Sequence, residues 1–361
     1  MIRNIFALSI AIVMCESAFG IELPRDIDDI RKMYSKDSSH WEKPLVDEGV
    51  QWQEIGALPD EAPYPESNPY SEAKAKLGER LFNDPKLSLS NQIACTSCHD
   101  KEQGYSNGRS VSYGHDRALG RRNAPSVVMS AFGKEKFWDG RAESLEAQVS
   151  FPIADKKEMA YDIGKAAKKL NKIESYKADF KAAFGDGAIN SERIAQAIAT
   201  YERSLMPKTS RFDRFIRGNV KALSDEEVWG LHIFRIKARC MNCHSGVAFS
   251  DEGYHNLGLS WYGRKYQDLG RYEVTKNPQD SGKFKTPSLR GVAKSAPYMH
   301  NGKFPHLKGV LNAYNKGMYH LKPKTPEQEN DPLFPLTDNL LHELNLSKDE
   351  LQALEAFLGT L

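Results

Sequence analysis

Two short segments constrain this chain more than anything else in it. They are Cys95-Thr96-Ser97-Cys98-His99 and Cys240-Met241-Asn242-Cys243-His244, one C-x-x-C-H pattern written twice, 145 residues apart. Of the five cysteines, Cys15 lies in an N-terminal stretch of different character, and the other four all fall in these motifs. No thiol is left to staple the chain elsewhere. A C-x-x-C alone suits a redox pair or half of a zinc site. A His directly after the second Cys, in both copies, points instead to covalent c-type haem. Cysteines three apart can each form a thioether to one edge of a haem, and the adjacent imidazole then reaches the iron from that side. The sequence thus predicts two haem c groups. One is held by Cys95 and Cys98 with His99 as iron ligand, the other by Cys240 and Cys243 with His244.

Residues 1–20 read as a cleavable export signal. Arg3 lies in a short basic start, Ile5 to Met14 is an apolar run of ten, and Ala18-Phe19-Gly20 places small residues at the cleavage point. Ten apolar residues are too few to span a bilayer. Met14 is too bulky to precede a lipidated Cys15. The expectation is a soluble periplasmic protein. The net charge is +2 over 361 residues, with no run of five like charges. That excludes a nucleic-acid binder held by a basic field. The length allows two ordinary domains.

The apolar pattern predicts a mainly α fold built from two cytochrome c-like domains. Residues 21–70, with Pro24, Pro44, Pro59, Pro63, Pro65 and Pro69, read as an extended arm wrapping the first domain. The first domain spans 71–210 and the second 211–361. The boundary falls near 207–222, where Pro207, Arg211, Arg214, Arg217 and Gly218 interrupt the apolar pattern. A helix is expected before each motif: Ser71 to Phe82, and Ser224 to Phe234 with a capping box at Ser224 and Glu227. Gly78 and Gly230 sit at matching places in these helices, four residues before Phe82 and Phe234. Glycine there costs about 1 kcal/mol relative to Ala, so a closely crossing helix is expected at each. Further helices are predicted over Ser191 to Leu205 and Ser347 to Leu358.

Between the motifs lie Arg121-Arg122-Asn123-Ala124-Pro125-Ser126 and Phe137-Trp138-Asp139-Gly140-Arg141, with Gln148 ten residues past Trp138 and Glu158 ten further on. After the second motif comes Ala296-Pro297-Tyr298-Met299-His300. In these stretches, over roughly residues 70–360, the chain resembles the bacterial dihaem cytochrome c peroxidase family, including its MauG-type oxidases. The resemblance implies that the first haem meets hydrogen peroxide and that Gln148, Pro152 and Glu158 form its distal pocket, with Glu158 as general acid–base. It implies that Trp138 relays electrons between the haems. It also implies a calcium ion held by the Asn123 side chain and the carbonyls of Ser295 and Pro297, an oxygen-only set that suits Ca²⁺.

Two positions separate the branches of that family. His115, sixteen residues after His99, is either a loop histidine or, as in the peroxidases, a ligand of the first iron that must leave before peroxide binds. Fourteen residues past His300 the peroxidases have a Met ligand to the second iron; here stands Tyr314, as in MauG, with Met318 the alternative. A phenolate ligand stabilises ferric iron and lowers the potential. Three functions follow. One is a peroxidase drawing electrons from a small cytochrome c, a cupredoxin or a quinol. Another is a MauG-like enzyme that oxidises residues of a partner protein, and the third is a dihaem electron carrier without catalysis. The sequence leaves a homodimer open.

Overall fold

A computed structural model describes residues 22–207 and 209–361; the predicted signal, 1–20, lies outside the described residues. The chain is mainly helical, with α1 Ile27–Tyr34, α2 Glu72–Asn83, α3 Leu145–Ala154, α4 Ile163–Leu170, α5 Glu174–Phe184, α6 Ser191–Ser204, α7 Arg211–Ile216, α8 Asp225–His232, α9 Tyr272–Thr275, α10 Leu307–Asn315, α11 Pro326–Glu329 and α12 Lys348–Leu358. A two-stranded antiparallel ribbon, β1 Tyr254–His255 with β2 Phe284–Lys285, pairs Tyr254 with Lys285. No helix among the described residues is long and apolar enough to cross a membrane.

The helices begin where their caps demand. The Ser71 hydroxyl accepts the Lys74 N–H at 3.2 Å and starts α2. Ser224 and Glu227 form the reciprocal capping box of α8, and Ser347 and Glu350 that of α12. The chain beyond α8 does not stay α-helical to Phe234: residues Ile233–Lys237 form a π-helical turn, which carries the strand of backbone into the second motif.

Two apolar cores form. One gathers Leu77, Leu81 and Phe82 of α2 with Ile194, Ala197 and Ile198 of α6. The other gathers Val228 and Leu231 of α8 with Ala353, Leu354 and Phe357 of α12. The glycines explain the resemblance between them. A Cβ on Gly78 would lie 2.0 Å from the Ala197 carbonyl oxygen, and one on Gly230 would lie 1.9 Å from that of Ala353. Both distances are impossible for a real side chain, so each helix pair crosses backbone to backbone at a glycine.

The N-terminal arm behaves differently from expectation. It wraps the second core rather than the first. Ile30, Tyr34, Trp41 and Ile55 are buried in that core. Glu54 pairs with Arg235, which is fully buried. Leu58 N–H donates to Asp213 at 3.1 Å, and Arg290 bonds both Asp213 and the Gly56 carbonyl, at 2.8 and 2.6 Å. The arm reaches the first core near Asn68, which donates to Glu146 and to the Gln196 carbonyl. The 207–222 segment carries α7, whose Phe212 and Phe215 enter the second core. Arg211 pairs with Glu227, and Arg217 returns to the arm at Leu58 and Asp60. Prolines and arginines here mark segments that dock through polar contacts, which a periodicity argument cannot see.

Candidate active site

Each C-x-x-C-H motif opens on a single 3₁₀ turn, Cys95–Ser97 and Cys240–Asn242. In both, the histidine N–H returns to the first cysteine's carbonyl, at 2.9 Å in the first and 2.8 Å in the second. The ring Nδ1 is then held by a carbonyl from the following loop. His99 Nδ1 lies 3.1 Å from the Tyr105 oxygen and His244 Nδ1 lies 2.9 Å from that of Phe249. A carbonyl can only accept, so Nδ1 carries the proton and Nε2 keeps its lone pair for a metal. Burial pulls both imidazoles below the ordinary histidine value, which favours the neutral form that ligation needs. Burial pushes the Cys240 thiol up to about 12 and moves Cys95 and Cys98 in the same direction.

His99 and His244 line one cavity of ≈ 400 Å³ with mainly apolar walls. Trp138, Gln148, His300 and Tyr314 line it too, as do Asn123, Ser295 and Pro297. A broad apolar space with an available imidazole at each end fits a pair of haems. The four cysteines do not converge into a metal cage. Among the described residues the cluster of metal-ligating side chains is Cys243, Asp251 and His255, and Cys243 belongs to the second motif.

Trp138 sits at the seam between the halves. Its indole Nε1 donates to the Asn123 carbonyl at 2.9 Å, and its own carbonyl accepts from Lys285 N–H at 2.8 Å. The ring meets His300 edge-on at 6.4 Å between centroids, and His300 stacks on Phe284 at 3.5 Å. Next to it, the buried Asp139 carboxylate binds Arg122 and Arg141, and Arg122 forks onto Asp268 with two bonds of 2.7 Å. The Arg-Asn and Trp-Asp stretches thus clamp the indole between the two halves.

Asn123 commits its amide N–H to the Arg109 carbonyl at 2.9 Å, which leaves its oxygen as the free donor atom. Among the described residues, no hydrogen bond uses the Ser295 or Pro297 carbonyl. These three oxygens are of the type a hard cation takes.

The remaining predicted residues are placed unevenly. Gln148 lies on α3, whose cap is Ser144. Pro152, four residues later in the same helix, has no N–H, so the Gln148 carbonyl loses its helical donor. Glu158 is not on the cavity wall. It lies beside the first motif, its charge felt by Cys95 and Cys98, and its carboxyl is raised above the usual range by burial and by Asp155. Its carbonyl accepts the His115 N–H at 2.7 Å. His115 also stays off the cavity wall, in a turn where Asp116 and Arg117 adopt left-handed backbone. The His115 Nδ1 is buried without a hydrogen-bond partner. Tyr314 lies against Cys240 and Cys243, its phenol pushed up by burial; Met318 is buried off the wall.

Three wall residues were not foreseen. His255 is gripped by two carboxylates, Asp338 at 2.6 Å and Asp251 at 2.8 Å, and is pushed up to about 12 by them against the cost of burial. Asp338 is 83 residues away, so no local signal announces the pair. Glu202 and Lys136 also face the cavity. Glu202 had a signal: it falls four residues after Ile198, on the apolar stripe of α6, where a charge is out of place.

The family model for di-haem cytochrome c peroxidase matches residues 72–221, and one for RoxA-like, cytochrome c-like proteins matches 283–320. The chain is 38% identical to the methylamine utilization protein MauG of Methylophilus methylotrophus over 262 residues, 71% of this chain and 76% of that one. It is 37% identical to the cytochrome c551 peroxidase of Nitrosomonas europaea, over 67% of this chain and 72% of that one. A crystal structure of a MauG-like protein associated with microbial copper homeostasis superposes with a TM-score of 0.75 at 31% identity, covering 84% of this chain and 94% of that one.

Proposed function

Because this chain belongs to the di-haem cytochrome c peroxidase family, we propose that it carries haem c on both C-x-x-C-H motifs and reduces hydrogen peroxide to water with electrons that enter through the second haem. The observation that carries this reading is the single apolar cavity shared by His99, His244 and Trp138. When bound, the first haem supplies the redox-active iron at which the O–O bond is cleaved.

The chain's own residues do the rest. His99 and His244 each offer Nε2 to an iron. Glu158 takes the proton from the near peroxide oxygen and returns it to the far one, so it must start as a carboxylate. Burial raises it, and the acid limb of the rate profile should therefore lie above the usual carboxylate range near 4.3. The Gln148 amide orients peroxide, and Pro152 loosens α3 beneath it. Trp138, fixed by the Asn123 carbonyl, relays electrons across the seam. Tyr314 would be a ligand to the second iron, and Asn123 with the Ser295 and Pro297 carbonyls would hold calcium. His115, off the cavity wall in this structure, would ligate the first iron only if its turn moved. Export to the periplasm places a small cytochrome c, a cupredoxin or a quinol within reach as donor.

One observation favours a second reading. Tyr314, not Met318, faces the cavity. A phenolate there lowers the second haem's potential, which suits a MauG-like enzyme that turns peroxide oxidation on a partner protein. One experiment separates the readings. The oxidised holoprotein is mixed with stoichiometric peroxide, then with peroxide and a reduced cytochrome or cupredoxin. A new oxidised spectrum with steady turnover supports the peroxidase. The same spectrum, long-lived and with negligible turnover, supports the MauG-like enzyme. An unchanged spectrum would leave only an electron carrier.

A further inference from the structure

We propose that Glu202 and Lys136 form a proton-loading pair in the first haem's half of the cavity and supply the two protons consumed when peroxide is reduced. The proposal rests on the peroxide chemistry above and adds a proton source to it. Reduction of one peroxide takes two electrons and two protons and yields two waters. Glu158 shuttles a proton from one peroxide oxygen to the other, so it conserves protons and cannot be their source.

Glu202 is suited to the task by position. It is 6% exposed, on α6, and faces the same cavity as His99 and Gln148. Its charge is felt by Cys95 of the first motif, which places it in that half. Its carboxylate makes no hydrogen bond among the described residues and opens onto the cavity. Arg203, beside it in sequence, is committed elsewhere and forks onto Glu146 at 2.6 and 2.8 Å. Lys136 faces the cavity from the loop before Trp138. Its Nζ donates to the carbonyls of Ser130, at 2.7 Å, and Gly133, which leaves the third N–H of its ammonium free.

Burial brings both groups toward neutral pH, and the surrounding charges modulate it. Glu202 is faced by Lys136, by Arg203 and Tyr201 on its own helix, by Glu146 on α3 and by Cys95. Burial raises it to about 7 against the pull of the two cations. Lys136 is faced by Glu202, Arg203, Lys285 and Glu252. Burial and the Lys285 charge lower it to about 8. A group that titrates near the working pH can both load and release a proton.

In the loaded state Glu202 is a carboxylic acid and Lys136 an ammonium. Two electrons arrive from the reduced donor and the O–O bond breaks. The Glu202 O–H and one Lys136 N–H then each give up a proton, two O–H bonds form, and two waters leave. The donor is oxidised and peroxide reduced. A carboxylate and a neutral amine remain, and both reload from solvent.

The test is electrochemical infrared difference spectroscopy of the holoprotein without peroxide, so it does not depend on which oxidant the enzyme uses. Reduction of the first haem should produce a protonated-carboxyl band that titrates near neutral pH. The band should vanish in Glu202→Gln and persist in Glu158→Gln. Turnover of Glu202→Gln with peroxide and a reduced donor should fall about ten- to a hundredfold. A permanently ionised, structural Glu202–Lys136 pair predicts no such band, and its absence in the wild type would overturn the proposal. Should Glu202→Gln not take up haem, Lys136→Met is the second variant. It should keep the band but shift its pH midpoint, and an unmoved midpoint overturns the pairing.

Discussion

The two halves of the molecule use one attachment device and surround it differently. In both, a 3₁₀ turn carries the cysteines, a backbone carbonyl fixes the histidine tautomer, and a glycine lets two helices cross at backbone contact. The first half leaves ionisable groups near its motif: Glu158, Glu202, and His115, whose Nδ1 has no hydrogen-bond partner. The second half is closed. Tyr314 covers the motif, His255 is locked between two aspartates, and the arm straps the outside, with Asp47 N–H on the Asn242 side chain and Gln53 N–H on the Ser245 hydroxyl. The device is therefore the same in both halves. What each motif can support depends on what distant parts of the chain bring to it: buried acids at the first, and a buried phenol, a doubly paired histidine and the arm at the second.

That contrast can be broken in four ways, from the largest expected effect to the smallest. Asp213→Ala should strand the buried Arg290 guanidinium, which bridges the arm and the second core, and cost about 3–5 kcal/mol. Chemical denaturation monitored separately at the two haems should show the second half melting first. Coincident melting would mean that the strap is shared. Glu158→Gln should slow peroxide cleavage by on the order of 10²-fold or more and remove the acid limb of its pH profile. Stopped-flow mixing with peroxide checks this, and wild-type speed would take Glu158 out of the mechanism. Gly78→Ala and Gly230→Ala should each destabilise by about 1–3 kcal/mol, because either Cβ would meet a carbonyl oxygen. Thermal unfolding should find the two losses similar, and a large inequality would show that the crossings are not equivalent. Tyr314→Phe should cost least in stability and change only the second haem's paramagnetic resonance signal. An unaltered signal would remove Tyr314 as a ligand.

Much of this was legible in the residues. The two motifs declare the attachment because thioether and imidazole chemistry demands that spacing. Capping at Ser71, Ser224 and Ser347 is local, and the glycines at 78 and 230 announce a close crossing because nothing else justifies them inside a helix. The order of Trp138, Gln148 and Glu158 carried the family resemblance.

Other features were decided by tertiary structure alone. The arm's choice of the second core rests on Glu54 meeting Arg235 and Leu58 meeting Asp213, contacts across more than 150 residues that no periodicity encodes. The grip on His255 needs Asp338 to arrive from far along the chain. Tyr314 is the favoured ligand on paper and Met318 the alternative; only the packing shows that Tyr314 lines the cavity while Met318, past the end of α10, is buried off it. Sequence specifies what short range can enforce: covalent spacing, caps, and helix faces. Which ionisable group ends up dry, paired or facing a haem is set by long-range packing, because burial and charge pairing exist only once distant segments meet.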